Sequence, residues 1–251
     1  ENYLGKMKTE TVSVIGLGFV GLPTACVLAN IKKKKKNVFS VCGIDKNINK
    51  IKKKVFSRNK YSEDIKLNKL IKLLPKNKSF SFSNNYKAIS KSDTIIISVG
   101  FDFNKKNKSI QLKNLKNLFY TIGKLLKKKS LVIIETTLPP GTCDQIIIPT
   151  LKKELSKRKM NIEDIYLSFS FERIMPGKGY LDSLINNSRC YSGINRASKM
   201  KCKNFLKKFI NYRKFPPIEL RSLIDCEAAK ILENSYRAVN IAFIDEWTKY
   251  S

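Results

Sequence analysis

Residues 12–21 read Val12-Ser13-Val14-Ile15-Gly16-Leu17-Gly18-Phe19-Val20-Gly21, a short β-branched run that ends in G-x-G-x-x-G and opens into a helical stretch. Each glycine has a mechanical task in such a turn. Gly16 permits the tight turn after the strand, Gly18 lets the backbone approach a pyrophosphate, and Gly21 lets helix and strand pack closely. The helix N-terminus then offers the anion its unpaired N–H groups. The pattern predicts a dinucleotide site. Asp45, at the end of the next strand, stands about where an acid takes the adenine ribose hydroxyls, and its charge repels a 2′-phosphate. NAD is therefore expected rather than NADP, although Lys46 is adjacent.

Outward from this turn, short β-branched segments alternate with helical patterns. Strands are expected at Thr11 to Ile15, Val38 to Ile44, Phe80 to Phe82, Thr94 to Val99, Leu131 to Glu135 and Ile165 to Phe169. Helices are expected at Gly21 to Ile31, Glu63 to Leu74, Gln111 to Leu126 and Thr142 to Leu155. The order is that of an α/β, doubly wound, parallel Rossmann-like sheet. The stretch Thr11 to Ile31 carries no charge over a membrane-spanning length, but its glycines and Pro23 divide it into strand and helix, so no membrane span is expected. A polar, irregular segment from Glu172 to Arg189 is long for a connection, which makes it a candidate functional loop. From Leu223 to Tyr250 there is neither Gly nor Pro, and one long helix is predicted. The domains expected are a nucleotide-binding unit over 8–213 and, over 214–251, the start of a central helical one.

Composition narrows the chemistry. The chain of 251 residues is 42% hydrophobic and contains no histidine, so histidine triads and histidine-bearing zinc sites are ruled out; no metal site is expected. The net charge of +30 would ordinarily suggest a polyanion partner. Lysine supplies 42 of the 50 basic residues, and runs such as Lys32 to Lys36 lack interleaved aromatics, which favours solvated loops over a nucleic-acid site. Six cysteines without a C-x-x-C pair read as reduced, buried thiols, and with no signal peptide apparent the cytoplasm is expected.

On the long helix, Lys230 and Asn234 are four residues apart and share a face, so an ammonium and an amide can converge on one oxygen. Such a pair suits stabilisation of a developing alkoxide during hydride transfer. From spacing alone, an exposed lysine beside a helical asparagine is the plainer reading.

Four separated blocks change that balance: Gly16 to Pro23, Glu135-Thr136-Thr137-Leu-Pro-Pro-Gly-Thr142, Glu172-Arg-Ile-Met-Pro-Gly177, and Glu227 to Glu246. In order and separation they resemble the UDP-glucose/GDP-mannose dehydrogenase family, the nucleotide-sugar 6-dehydrogenases, over nearly all of residues 11–251. The resemblance implies NAD-dependent oxidation of the sixth carbon of a UDP-sugar from alcohol to carboxylate in two hydride transfers, through a thioester on a cysteine. It implies that Thr137 is a hydroxyl near the reacting carbon and nicotinamide, that Glu172 is the acid of thioester hydrolysis, and that Lys230 and Asn234 steady the oxyanion. It also implies cofactor contacts from Gly16, Gly18, Phe19, Val20, Gly21, Asp45, Val99 and Thr137, and homodimerisation through the long helix.

The Arg-x-x-Pro-Gly form after Glu172 resembles the branch acting on N-acetylated or related UDP-sugars; the second loop acid of the UDP-glucose branch would fall at Pro176. Phe101-Asp102-Phe103 stands where the family usually has a Thr-Pro step, which bears on the nicotinamide geometry. The family's nucleophilic cysteine and UDP-binding third domain would lie beyond Ser251, so the 251-residue chain is expected to bind NAD without turning over substrate. Two rival readings are a single-step hydroxyacid dehydrogenase, which also sets Lys and Asn four apart on a helix after a Rossmann domain, and a basic nucleic-acid-binding module.

Overall fold

A computed structural model describes residues 9–57, 59–100, 103–104, 109–110 and 112–250. The chain alternates β1 (Glu10–Ile15), α1 (Gly21–Asn30), a hairpin of β2 (Lys32–Lys33) and β3 (Lys36–Asn37), β4 (Phe39–Ile44), α2 (Ile48–Phe56), α3 (Ile65–Leu73), β5 (Phe80–Ser83) and β6 (Thr94–Ile97). There follow a second small hairpin, β7 (Phe103–Asn104) with β8 (Ser109–Ile110), then α4 (Leu112–Leu125), β9 (Leu131–Ile134), a π-helical turn over Cys143–Ile147, α5 (Ile148–Ser156) and β10 (Tyr166–Phe169). The last part comprises α6 (Tyr180–Ile185), β11 (Cys190–Gly193), α7 (Arg196–Leu206), β12 (Ile218–Glu219) and α8 (Leu223–Tyr250).

Eight strands form one sheet in the order β12-β11-β10-β9-β6-β1-β4-β5. β1 lies in parallel register between β4 and β6, with Val12 opposite Val41 on one side and Val14 opposite Ile96 on the other. β11 is antiparallel to β10. The strands are β-branched on both faces because both faces are covered. One core joins Val12, Val14 and Ile133 to α1, α3, α6 and α7; the other joins Ile15, Ile97 and Val132 to α4, α5 and the root of α8. From β1 the chain winds outward to β4 and β5, then crosses back to β6 on the far side of β1. That reversal opens a crevice at the carboxyl ends of β1 and β6, where doubly wound sheets bind ligands.

The doubly wound expectation holds, and its uncharged first helix is explained by position. Nine of the ten residues of α1 are buried, between the sheet, α3 and α6. Among the described residues no helix is long and apolar enough to cross a membrane. The lysine run 32–36 is an exposed hairpin, with Lys34 and Lys35 at the positive φ that its two-residue turn demands.

Two differences from the sequence reading are found, the first with a local cause. The helix expected over 142–155 starts as a π-turn, with Ile148 N–H bonded to Cys143 O, because Pro149 has no N–H to continue the ordinary ladder. α2, α6, α7, β11 and β12 are additional elements; α6 lies inside the segment expected to be irregular. Phe101 and Asp102, at the departure from the family pattern, lie outside the described residues.

Five of the six cysteines are buried and Cys42 is half-buried. Burial pushes every one of these thiols up, Cys202 to about 12. At pH 8 a disulfide reagent is expected to find at most one fast-reacting thiol in the native protein and six in guanidinium. Two or more fast native thiols would contradict this burial.

Candidate active site

The carboxyl ends of β1, β4 and β6 enclose a cleft of about 510 Å³, lined by Gly16, Gly18, Asp45, Ser98, Val99 and neighbours. This is within the size range of small-molecule and cofactor sites. Gly16 has φ +88°, and a Cβ there would stand 2.7 Å from Ser98 O. A Cβ on Gly21 would stand 1.8 Å from Gly16 O. The fold itself therefore demands both residues. Gly18 differs, since a Cβ there would meet nothing within 4 Å. Open space over a glycine on the cleft wall is where a ligand can approach the backbone, and the glycine turn fits a pyrophosphate.

Asp45 sits at the lip of this cleft. Its Oδ2 accepts Leu17 N–H at 2.8 Å and its Oδ1 accepts Asn47 N–H at 2.7 Å, so the acid stitches the glycine turn to β4. A carboxylate has about four acceptor positions, which leaves room for sugar hydroxyls. Phe19 stands at the crest of the turn, 67% exposed, its carbonyl accepting from Tyr180 Oη and its ring 5.8 Å from Lys54 Nζ. Val20 is half-buried against the core.

One wall of the cleft is held from behind. Ser98 Oγ donates to Glu135 Oε2 at 3.0 Å, and Glu135 Oε1 pairs with Arg189 at 2.6 Å, both side chains 1% exposed. Burial pushes the Glu135 carboxyl up, opposed by Arg189 and the Ser98 hydroxyl. Thr136 Oγ1 donates to Ile97 O and Val99 O, at 3.2 and 2.9 Å. The next residue, Thr137, is exposed.

A second cluster gathers at the root of α8, which packs on β10, β11 and the turn over Cys143–Ile147. Lys230 Nζ, buried, donates to Glu172 O at 2.7 Å and lies 3.3 Å from Glu172 Oε1. Glu172 Oε2 accepts Ile174 N–H. Glu227, three residues before Lys230, accepts Gly141 N–H at 2.6 Å and Cys143 N–H at 2.8 Å. Arg173 pairs with Glu233 at 2.9 Å and donates to Ser188 O.

Of the residues singled out from sequence, Gly16, Gly18, Asp45 and Val99 line one cleft, and Glu172 and Lys230 meet directly. Gly21 lies behind the turn. Thr137 and Asn234 are exposed, and among the described residues neither side chain has a hydrogen-bond partner. The sequence reading gives no site role to Glu135, Arg189 or Glu227, and Arg173 enters it only as part of the Arg-x-x-Pro-Gly form. Glu135 carried the available signal, a charge placed directly after the apolar strand Leu131 to Ile134.

Residues 10–210 match the model of the UDP-glucose/GDP-mannose dehydrogenase family, NAD binding domain. A UDP-N-acetyl-D-mannosamine dehydrogenase of Methanocaldococcus jannaschii is 32% identical over 255 residues, covering 99% of this chain and 52% of the relative. Among solved structures, the UDP-N-acetyl-mannosamine dehydrogenase Cap5O of Staphylococcus aureus superposes with a TM-score of 0.76 at 28% identity, covering 96% of this chain and 54% of that one. A UDP-D-ManNAc dehydrogenase of Pyrococcus horikoshii gives 0.79 at 25% identity, with 94% and 52% covered. The chain thus spans about half the length of the relatives it matches. These relatives do not favour the hydroxyacid dehydrogenase or nucleic-acid readings. With its glycine turn, its acid at the end of β4 and its crevice at the switch point, the chain belongs to the UDP-glucose/GDP-mannose dehydrogenase family, whose NAD-binding domain it carries.

Proposed function

We propose that this chain serves the NAD-dependent oxidation of the sixth carbon of an N-acetylated UDP-sugar to a carboxylate. The observation that carries the reading is the buried Lys230–Glu172 pair at the root of α8, on a chain that also holds a dinucleotide cleft. When bound, NAD supplies the hydride acceptor. Gly16, Gly18 and Gly21, with Phe19 and Val20 at the crest of the turn, form the diphosphate end of its site; Asp45 takes the ribose hydroxyls; Val99 and Thr137 belong to the nicotinamide end. An ammonium has three N–H donors, and Lys230 spends two on Glu172, so one remains for a substrate oxygen. Lys230 and Asn234 steady the alkoxide and the later oxyanion, Thr137 orients the reacting hydroxyl, and Glu172 handles the proton of the hydrolytic water.

In this reading residues 8–213 are the nucleotide-binding unit and 214–251 open a helical one, and the enzyme works in the cytoplasm on a soluble sugar nucleotide. It is a homodimer. From Leu232 onward α8 exposes Leu232, Tyr236, Val239, Phe243, Ile244 and Trp247, an apolar surface of the kind that a second copy buries. The relatives named above act, by their names, on UDP-N-acetyl-D-mannosamine, which supports an acetamido sugar here.

The test is a panel of UDP-sugars assayed for NADH with the native enzyme. Two NADH per sugar oxidised, greatest for an N-acetylated substrate, with a dimer in sedimentation, is expected. One NADH per substrate, or none from any UDP-sugar, would overturn the reading.

A further inference from the structure

Thr137 is exposed and its own hydroxyl bonds to nothing among the described residues, so its place is fixed by the backbone on either side of it. Before it, Thr136 is bonded to the carbonyls of Ile97 and Val99 on the cleft wall. After it come Pro139 and Pro140, which carry no N–H. The next three donors can be accounted for completely. Thr142 N–H goes to Pro139 O, while Gly141 and Cys143 N–H both go to the carboxylate of Glu227. Gly141 has φ +87°, a left-handed turn that aims its N–H back toward α8.

Glu227 is itself fully buried, 0% exposed, and lies one helical turn before Lys230 on the same face of α8. A single turn of helix therefore grips two otherwise separate segments. Glu227 holds the turn after Thr137, and Lys230 holds Glu172.

We propose that Glu227 is a positioning residue for the Thr137 loop: its two carboxylate oxygens, each on one backbone N–H, fix where Thr137 stands relative to Lys230. The proposal rests on the reading that Thr137 and Lys230 serve one reaction. Glutamine keeps the shape of the side chain but turns an NH2 toward one of the two N–H groups, so the grip is broken without a cavity.

The experiment measures amide hydrogen exchange by NMR in the wild type, Glu227→Gln, Glu227→Asp and Lys230→Ala, and initial rates in the native enzyme with the first two of these and Thr137→Ala. In Glu227→Gln, exchange at Gly141 and Cys143 is expected to rise at least about tenfold while β6 and β9 keep their protection. Glu227→Asp, which retains both oxygens, recovers part of it and stands in should the glutamine variant fail to fold. Lys230→Ala changes these two amides no more than it changes β6 and β9. In the native enzyme, Glu227→Gln lowers kcat at an unchanged KM for NAD. Wild-type exchange at Gly141 and Cys143, or a rise spread evenly across β6 and β9, would overturn the positioning role. Wild-type turnover in Thr137→Ala, with exchange raised in Glu227→Gln, would instead overturn the role given to Thr137 and leave the tether standing.

Discussion

Replacing Lys230 with alanine in the native enzyme is expected to lower turnover by about 10²–10³-fold while NAD affinity stays within about twofold. The partner assigned to the ammonium is an oxyanion that exists only along the reaction path, whereas the cleft assigned to NAD, at the carboxyl ends of β1, β4 and β6, is not lined by Lys230. Stability also falls. Lys230 and Glu172 are 6% and 8% exposed, and removing the ammonium leaves a buried carboxylate whose remaining bond among the described residues is to Ile174 N–H, a loss of about 3 kcal/mol or more. The two effects can be separated. Lys230→Ala combined with Glu172→Gln removes the orphaned charge, so the double variant should regain much of the melting temperature and none of the turnover. Initial-rate kinetics beside thermal melts read both quantities. Wild-type turnover in Lys230→Ala, or recovery of turnover in the double variant, would remove Lys230 from the chemistry.

The second large effect separates two glycines three residues apart. Gly21→Ala sets a methyl group 1.8 Å from Gly16 O, a backbone atom that cannot swing aside, so α1 must leave its seat beneath the sheet. With α1 buried along nearly its whole length, the expected cost exceeds about 4 kcal/mol, a large part of the stability of an ordinary domain. The variant should fail to give a cooperative unfolding transition. Gly18→Ala places its methyl group in open space and should melt within about 2 °C of the wild type. It should nevertheless lose NAD affinity by about tenfold or more, because the methyl occupies the approach to the pyrophosphate. A well-folded Gly21→Ala protein, or a Gly18→Ala protein that binds NAD normally, would show that the turn works differently.

The sequence announces what depends on short-range pattern. The strand–turn–helix of residues 12–30, the β-branched strands and the long α8 all follow from periodicity and glycine placement. α2 and α7 are obscured by lysines: the apolar stripe of α7 is Cys202, Phe205 and Leu206, interrupted by the exposed Lys201, by Lys203 and by Lys199, which reaches to Leu220 O and Arg221 O. β11 is four residues long and antiparallel to its neighbour, so it breaks the alternation that makes the other strands legible.

Long-range polar pairs are less readable still. Glu135 and Arg189 are 54 residues apart and meet only because β9 and the start of β11 flank β10. Glu172 and Lys230 could each be named from a motif, but their direct contact depends on where α8 docks, which no spacing in the sequence expresses. Glu227 is the clearest case. Nothing in Glu227-Ala-Ala-Lys230 indicates that the acid faces inward to two backbone N–H groups 84 and 86 residues away.

The central claim, a site for NAD between β1, β4 and β6, is tested most directly by calorimetric titration of the 251-residue chain with NAD and with NADP. One NAD site per chain is predicted, with NADP weaker by about tenfold or more because the Asp45 carboxylate faces its 2′-phosphate, and Asp45→Asn should narrow that gap. No binding of either nucleotide, or equal affinity for both, would contradict the account.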